Sequence, residues 1–528
     1  IENDSTIIKP NVFKNKRIHT LQINTKNKVQ FLDSLVIQNS ITLFNGSLQT
    51  QHLTLLAPAQ INSSGNNTTI IGPATVHKTY NLQQGQTKLL SFPFLNQPSL
   101  RDFNKSLRIT GKGATSSGFD SAEHENPSAY FLDSTRGTNA LLSFIPFTKL
   151  DSSFWEQNSA IKIWLYPNDS SFKNETPFIE TKKHNSWVNV SIHGKPQHGP
   201  LEINFPEHPA TRYYLTGNPY PAAIDIRKIT SSTNIGKYYW YWDAGLGATG
   251  NYTARPFRFP NIIQKLDGYI IKNNAGAAGY LFYEERTKLN QNDTPDTIRY
   301  KKEYAHISLQ LMQENNLLDR LEIMGIDSAS SRFEKWDAEK INENQTSLYS
   351  ISRDSVALCI DARPFTNNLF IPLGIKSNKT GKYILVCNAY LVDNSLVAYL
   401  HDKLLNKYQK IMEDSSYTFE IGTDTTTAGE RRFEITGPPP PPRQEDPIIA
   451  SVTPNPVLGR LSIRFSFRDP LAYQISIHSI DGSLLQNKAF AVSKNGLATM
   501  DVSALIPGVY VAVIKAGKNY LLQQFIKL

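Results

Sequence analysis

Tyr473-Gln-Ile475-Ser-Ile477 and Val509-Tyr510-Val511-Ala512-Val513 decide the fold. In both, apolar residues recur at every second position. That is the period of a strand with one face in a core. Leu461-Ser-Ile463-Arg-Phe465, Leu484-Leu485 and Leu521 to Ile526 continue the pattern, and Asp481-Gly482, Lys494-Asn495-Gly496 and Pro507-Gly508 separate the runs. Asp-Gly supplies a tight turn, and Gly508 frees the backbone before a central strand. Roughly seven strands in residues 447–528 read as an immunoglobulin-like sandwich.

Before this unit stand Gly437, five prolines from Pro438 to Pro442, and Arg443-Gln-Glu-Asp446. Consecutive prolines cannot enter a sheet ladder and favour an extended left-handed helix. Residues 437–446 therefore read as a stiff linker. Residues 1–80 carry short alternations such as Leu21 and Ile23, Leu35 and Ile37, Ile41 and Leu43, Leu53 and Leu55, broken by Asn45-Gly46 and Gly65-Asn66-Asn67. Close, regular spacing predicts a few rungs of a β-solenoid, with a meander as the alternative. Residues 81–295 form an aromatic-rich β-sandwich block, and residues 296–436 a second. There Ile307, Leu309 and Leu311, then Glu314-Asn315-Asn316, then Leu321 and Ile323 have the form of a hairpin. Val397 to Met412, with Leu400, Leu404 and Leu405, reads as a short helix.

Composition agrees with an all-β chain. Tyr and Phe number 24 and 26, and Met only 4. The 55 basic and 46 acidic residues give a net charge of +9. The basic residues are dispersed, without the stripe or module that nucleic-acid binding requires. Weak attraction to an anionic cell surface is compatible with this charge. No run of 18 apolar residues is present, so no membrane-spanning helix is expected. The chain opens Ile1-Glu-Asn-Asp, which gives the expectation that a signal peptide has been removed. Cys359 and Cys387 lie in apolar runs. They read either as a disulfide between neighbouring strands or as two buried thiols, with the thiols favoured.

Catalytic signatures are absent: there is no Gly-x-Ser-x-Gly elbow, His-Glu-x-x-His, phosphate-binding loop or dinucleotide fingerprint. His193 and His198 are spaced as a loop, not as metal ligands. Glu123-His124-Glu125 reads as a solvated loop. Asp337 and Asp361 are carboxylates of the type a glycosidase pair uses, with residue type alone to support the pairing. The chain is therefore expected not to be an enzyme and to hold no cofactor or metal. The run Lys237-Tyr-Tyr-Trp-Tyr-Trp242 has two readings. Its rings line a core, or Tyr239, Trp240 and Trp242 stack on sugars; the core reading is favoured.

The last domain resembles the type-A C-terminal sorting domain of type IX secretion substrates. The resemblance rests on Pro454-Asn455-Pro456, on Ile477-His-Ser-Ile480-Asp481-Gly482, on Leu505-Ile-Pro-Gly508-Val-Tyr510, and on a final strand ending Phe525-Ile-Lys527-Leu528. Further stretches resemble large surface proteins of Bacteroidota: Leu90-Ser91-Phe92-Pro93, Leu215-Thr-Gly217-Asn218-Pro219-Tyr220-Pro221, Phe333-Glu-Lys-Trp336-Asp337, Ile371-Pro372-Leu373-Gly374, and Tyr417-Thr-Phe with Arg432-Phe433. The resemblance implies location and architecture and assigns no activity. As partners it implies the type IX outer-membrane translocon, a shuttle β-barrel, a cell-surface sortase that removes the domain, and anionic lipopolysaccharide or surface glycan. Asp-Ser/Thr triplets of the kind that Bacteroidota glycosylate occur at Ser34, Ser121, Ser134, Thr297, Ser328 and Ser355. The expectation is an exported cell-surface protein, structural or adhesive. The alternatives are a carbohydrate-binding surface protein and, behind it, a glycan-degrading enzyme.

Overall fold

The computed structural model describes residues 5–528 apart from 63–64, 66–67, 83–84, 96–98, 123, 137–143, 152–158, 167–186, 260, 290–304, 343–344, 367, 392–396, 440–448 and 517–518. Most of the expected proline linker, and Thr297, lie outside the described residues. Strands hold 56% of the described residues and helix 5%, so the fold is all-β. It divides into two compact units, Ile1–Pro439 and Pro440–Leu528.

The first unit opens with a parallel stack. Arg17–Phe31 lies beside Leu35–Gln49, with Ile18 opposite Ile37. Leu53–Leu55 adds on the far side, Leu55 opposite Ile37, and Ala74–Asn81 follows, Val76 opposite Leu55. Ile37, Leu55 and Val76 are fully buried. Parallel neighbours at steps of roughly twenty residues are the mark of a solenoid. A meander would pair them antiparallel. Trp187–Gly194 closes the stack by pairing antiparallel with Ala74–Asn81. One core runs from Ile23 to Leu266, so packing is continuous across residue 80.

Beyond the stack, Arg212–Gly217, Gly268–Asn273, Ile235–Asp243 and Asn251–Pro256 form an antiparallel sheet in that order. One face packs on Ile203, Phe205 and Leu281. The other packs on Met324, Ala338, Cys359 and Ile360 of the following block. That block is an eleven-stranded sheet, drawn from His306–Gln313 through Gly429–Thr436, with its own core around Leu309, Leu373, Tyr383 and Phe433. His306–Gln313 and Asn316–Gly325 make the expected hairpin, turning at Glu314 and Asn315, both at positive φ.

The segment read as a helix is a hairpin instead. Tyr399–Asp402 pairs antiparallel with Lys407–Lys410, and on its other side with Gly429–Thr436. Leu400 is fully buried, whereas Leu404 and Leu405 are exposed at the turn. The apolar spacing of the three leucines is thus one strand position followed by a loop. The buried Arg432–Asp402 ion pair, at 2.9 Å, fixes the hairpin to its neighbour.

In the second unit Arg460–Ser479 and Leu484–Asp501 are long strands with register shifts near residues 466–473. Each therefore pairs in two separate stretches of one five-stranded sheet. Residues 460–466 pair with Ile449–Thr453 and with 495–501. Residues 473–479 pair with 484–490 and with Gly508–Ala516, which in turn pairs with Asn519–Lys527. Counted this way, seven strand segments surround Leu461, Ile463, Ile475, Ile477, Ala512, Ile514 and Phe525.

Candidate functional site

The terminal strand Asn519–Lys527 pairs along its length with Gly508–Ala516. Its other edge is held by Pro454-Asn455-Pro456-Val457. Proline has no N–H, so a backbone ladder cannot run through residues 454 and 456. The Asn455 side chain takes over. Its Oδ1 accepts from the Ile526 N–H at 2.8 Å, and its Nδ2 donates to the Gln524 carbonyl at 3.2 Å. Val457 then resumes the ladder: its N–H donates to the Ile526 carbonyl at 2.7 Å, and its carbonyl accepts from the Leu528 N–H at 2.9 Å.

The other motif residues serve the same unit. Asp481 accepts from the Ser483 N–H at 3.0 Å and from the Ser479 hydroxyl, and Gly482 sits at φ +91° in that turn. Tyr510, two residues after Gly508, stacks on Phe525 at 5.8 Å, and its hydroxyl donates to the Ile506 carbonyl at 2.8 Å. Lys527 is buried and its ammonium turns back to the Leu528 oxygen.

In the body, the aromatic run splits between two cores as its alternation requires. Tyr239 is fully buried on one face, and Trp240, 2% exposed, lies on the other. Trp240 Nε1 donates to the Glu339 carbonyl at 2.9 Å. Neither ring has a face free for a sugar, which corrects the stacking assignment for both. Trp242 is different. It is half-buried, edge-on to Tyr252 at 5.0 Å. Gly250, at φ +93°, makes room for its indole edge, since a Cβ there would lie 2.3 Å from Nε1.

Trp242 borders a cleft of about 250 Å³ that the sequence did not disclose. Gly268–Asn273 pairs with Ile235–Asp243 only as far as Trp240 opposite Ile270. Past that point Tyr241 and Trp242 still pair with Asn251–Pro256, and both line the cleft. Tyr80, Lys88, Arg255, Asn261 and Asp267 line it as well. The Lys78 ammonium pairs with Asp267 and lies 4.8 Å from the Tyr80 ring centre. Lys88 lies 5.4 Å from that same ring. Burial lowers the Lys88 pKa, Asp267 opposes the shift, and Lys78 adds to it. Arg255 stacks over Tyr241 at 4.9 Å and donates to Asn261 Oδ1 at 2.7 Å.

The remaining candidates have structural partners. His193 Nδ1 meets the Thr75 hydroxyl at 2.7 Å, and His198 Nε2 meets that of Thr68 at 2.7 Å. His124 is exposed. Among the described residues no three His, Cys, Asp or Glu side chains are grouped to hold a metal ion. Asp361 is buried in an ion pair with Arg363 at 2.6 Å. Asp337 accepts backbone N–H groups of Glu334 and Ala362, each at 2.8 Å, and burial pushes its carboxyl up to about 7. At 1% and 6% exposure these carboxylates offer a glycan no approach, so the glycosidase pairing fails. Cys359 and Cys387 are free buried thiols in separate cores, and burial raises them to about 11 and about 12. Of the glycan triplets, Ser121, Ser328 and Ser355 are exposed and Ser34 half-buried. Ser134 is 3% exposed and too enclosed to carry a sugar.

The body motifs prove to be junctions. The Ser91 hydroxyl donates to the Asn218 carbonyl at 2.9 Å. Asn218, fully buried, donates from Nδ2 to the Ala222, Ile263 and Gln264 carbonyls and accepts from the Tyr220 N–H. Tyr417 and Arg432 converge on Asp402, each at 2.9 Å.

Residues 451–528 match the family described as a secretion system C-terminal sorting domain. Residues 237–436 match a domain of unknown function, DUF8693. No curated protein is significantly similar to the chain. Among solved structures, dimeric latent PorU from Porphyromonas gingivalis is similar at 10% identity over 61% of this chain, which spans 32% of that one, with a TM-score of 0.14. The BSP domain of a biofilm associated protein is similar at 8% identity over 86% of this chain and 92% of that one, with a TM-score of 0.13.

Proposed function

We propose that this chain, a type IX secretion substrate exported across the outer membrane to the cell surface or extracellular space, acts there as a structural or adhesive protein and not as an enzyme. The sorting domain implies contact with the type IX machinery. In this reading the outer-membrane translocon and a shuttle β-barrel carry it, a cell-surface sortase cuts near residues 437–448, and the body passes to anionic lipopolysaccharide or is released.

The observation that carries the non-enzymatic reading is that several buried acids and one buried imidazole of the body are committed to partners within the fold. Asp361, Glu285, Asp402 and His198 are buried against partners of the same fold. A stack of parallel strands joined to broad antiparallel sheets suits a scaffold or an adhesin.

Two strains test this: one lacking residues 447–528, and one lacking the whole chain. The first should hold the body in the periplasm. The second should lose adherence or surface-layer cohesion. Unchanged adherence, together with glycan turnover by purified body, would defeat the reading. The carbohydrate-binding alternative has one observation in its favour, the cleft beside Trp242.

A further inference from the structure

We infer that the cleft between Trp242 and Lys88 is a binding site for one carboxylated pyranose unit of an anionic glycan. The inference deepens the adhesive reading and rests on it for its biological use, but not for its chemistry.

Charge comes first. Asp267 is neutralised by Lys78, and Asp243 is within 3.4 Å of Arg320. Lys88 and Arg255 are then in excess. Arg255 is partly satisfied by Asn261. The Lys88 ammonium has no hydrogen-bond acceptor among the described residues. Its contact is the Tyr80 ring, which attracts a cation but offers no lone pair in the plane of a carboxylate. A half-buried ammonium beside rings and without an acceptor is a site for an incoming anion. Such charge-assisted hydrogen bonds are the strong ones.

The walls specify what else the anion carries. Trp242, Tyr241 and Tyr80, all half-buried, line the cleft. An aromatic wall suits the apolar C–H face of a sugar, while hydroxyls at the ring edge need polar partners. Asp267, which accepts from the Tyr80 hydroxyl at 3.4 Å, and Asn261, bonded to Arg255 and to the Tyr239 hydroxyl, also line the cleft. A free inorganic anion would use the cation and leave the rings idle. A neutral sugar would use the rings and leave the Lys88 ammonium without a charged acceptor. The volume, about 250 Å³, lies just under the usual range of about 300–1,000 Å³ for small-molecule sites, which fits one ring and not an extended chain.

The site is built by the fold and not by chance loops. The shorter strand Gly268–Asn273 ends the ladder at Trp240, which opens the gap. Gly250 seats the indole that walls it. Lys88 comes from Gln86–Leu90, whose neighbour Leu89 is anchored in the core.

Calorimetric titration of the body, residues 1–439 and the full chain in parallel, tests the site. The probes are a hexuronate oligosaccharide, a neutral hexose oligosaccharide of equal length, a sulfated oligosaccharide and sodium sulfate. The hexuronate should bind and change Trp fluorescence, with affinity falling as salt rises. The neutral sugar and free sulfate should bind at least tenfold more weakly. Lys88→Met should weaken hexuronate binding about tenfold or more, Arg255→Gln should weaken it less, and Trp240→Phe should leave it unchanged. Equal binding of free sulfate, preference for the neutral or sulfated sugar, or an unaltered Lys88→Met titration would each overturn the proposal. If Lys88→Met fails to fold, Arg255→Gln and the probe comparison still decide. Loss of adherence in cells alongside absent hexuronate binding would leave the adhesive reading standing and remove only this site.

Discussion

Asn455 binds the backbone of Ile526 as though it were a neighbouring strand: its side-chain oxygen accepts from the Ile526 N–H at 2.8 Å. With its amide on the Gln524 carbonyl, one side chain replaces a ladder rung that two prolines forbid. Asn455→Ala should cost about 1–2 kcal/mol, two hydrogen bonds at a partly solvated edge. Asn455→Asp keeps the acceptor, loses the donor and should fall between. Hydrogen exchange of residues 524–528 in the full chain reads the effect directly. Protection equal to wild type in Asn455→Ala would show that Val457 alone holds the edge.

Glu285 and Lys288 form a second dependent pair. Lys288 is fully buried, bonded to both Glu285 oxygens at 2.8 and 3.0 Å, and lies over the Tyr220 ring at 4.5 Å. Removing the acid leaves a buried ammonium uncompensated. Glu285→Ala should therefore destabilise the body by about 3–5 kcal/mol. The double change Glu285→Leu with Lys288→Met should recover much of that. Denaturant unfolding of the three proteins checks it.

Two buried histidines should make the body sensitive to acid. Burial, with Lys265 near one and Lys288 near the other, lowers His77 and His198 to about 4 from an ordinary 6.5. Folded imidazoles thus stay neutral where unfolded ones gain a proton. Their contribution is complete above pH 6.5 and is lost as pH falls toward 4, by about 3 kcal/mol each at most. His77→Gln and His198→Gln should flatten the fall in unfolding midpoint across that window, whatever they cost at pH 7.5. An unchanged slope in the double variant would assign the acid sensitivity elsewhere.

The strand class and the C-terminal unit were legible because alternation and Asp-Gly turns are local signals. The solenoid was legible as spacing, but its parallel register is set by contacts between distant turns. Leu400, Leu404 and Leu405 misled because helix spacing and strand-plus-turn spacing coincide over six residues, and only the partner strand Gly429–Thr436 separates them. Trp240 and Trp242 look alike in sequence. Their fates diverge because the ladder with Gly268–Asn273 stops between them. Lys88 carries no local mark at all. Its place beside Trp242 comes from residues far apart in the chain.

Exposure sorts the glycan triplets. Ser121, Ser328 and Ser355 are open to solvent, while Ser134 is buried. Peptide mapping of protein from surface-displaying cells should find any O-glycan at the first three and none at Ser134. A glycan on Ser134 would mean that modification precedes folding.

The two units carry separate cores, and this predicts opposite outcomes for two truncations. Ile1–Pro439 and Pro440–Leu528 are each compact, and the core of the second draws only on residues from Val452 to Phe525. A chain ending at Pro439 should keep the thermal unfolding and Trp fluorescence of the body, since all six tryptophans lie within it. A chain ending at Asn519 should behave otherwise. It loses nearly the whole terminal strand, the fully buried Phe525, its stacking on Tyr510 and every anchor of Asn455. Removing a buried Phe alone costs about 3–5 kcal/mol, comparable to the entire stability of a small domain. The C-terminal unit should therefore unfold while the body stays intact. Limited proteolysis with mass spectrometry distinguishes the two: fragments confined to residues 440–519 are expected, and early cuts within the body of either truncated chain would show that the cores are not independent.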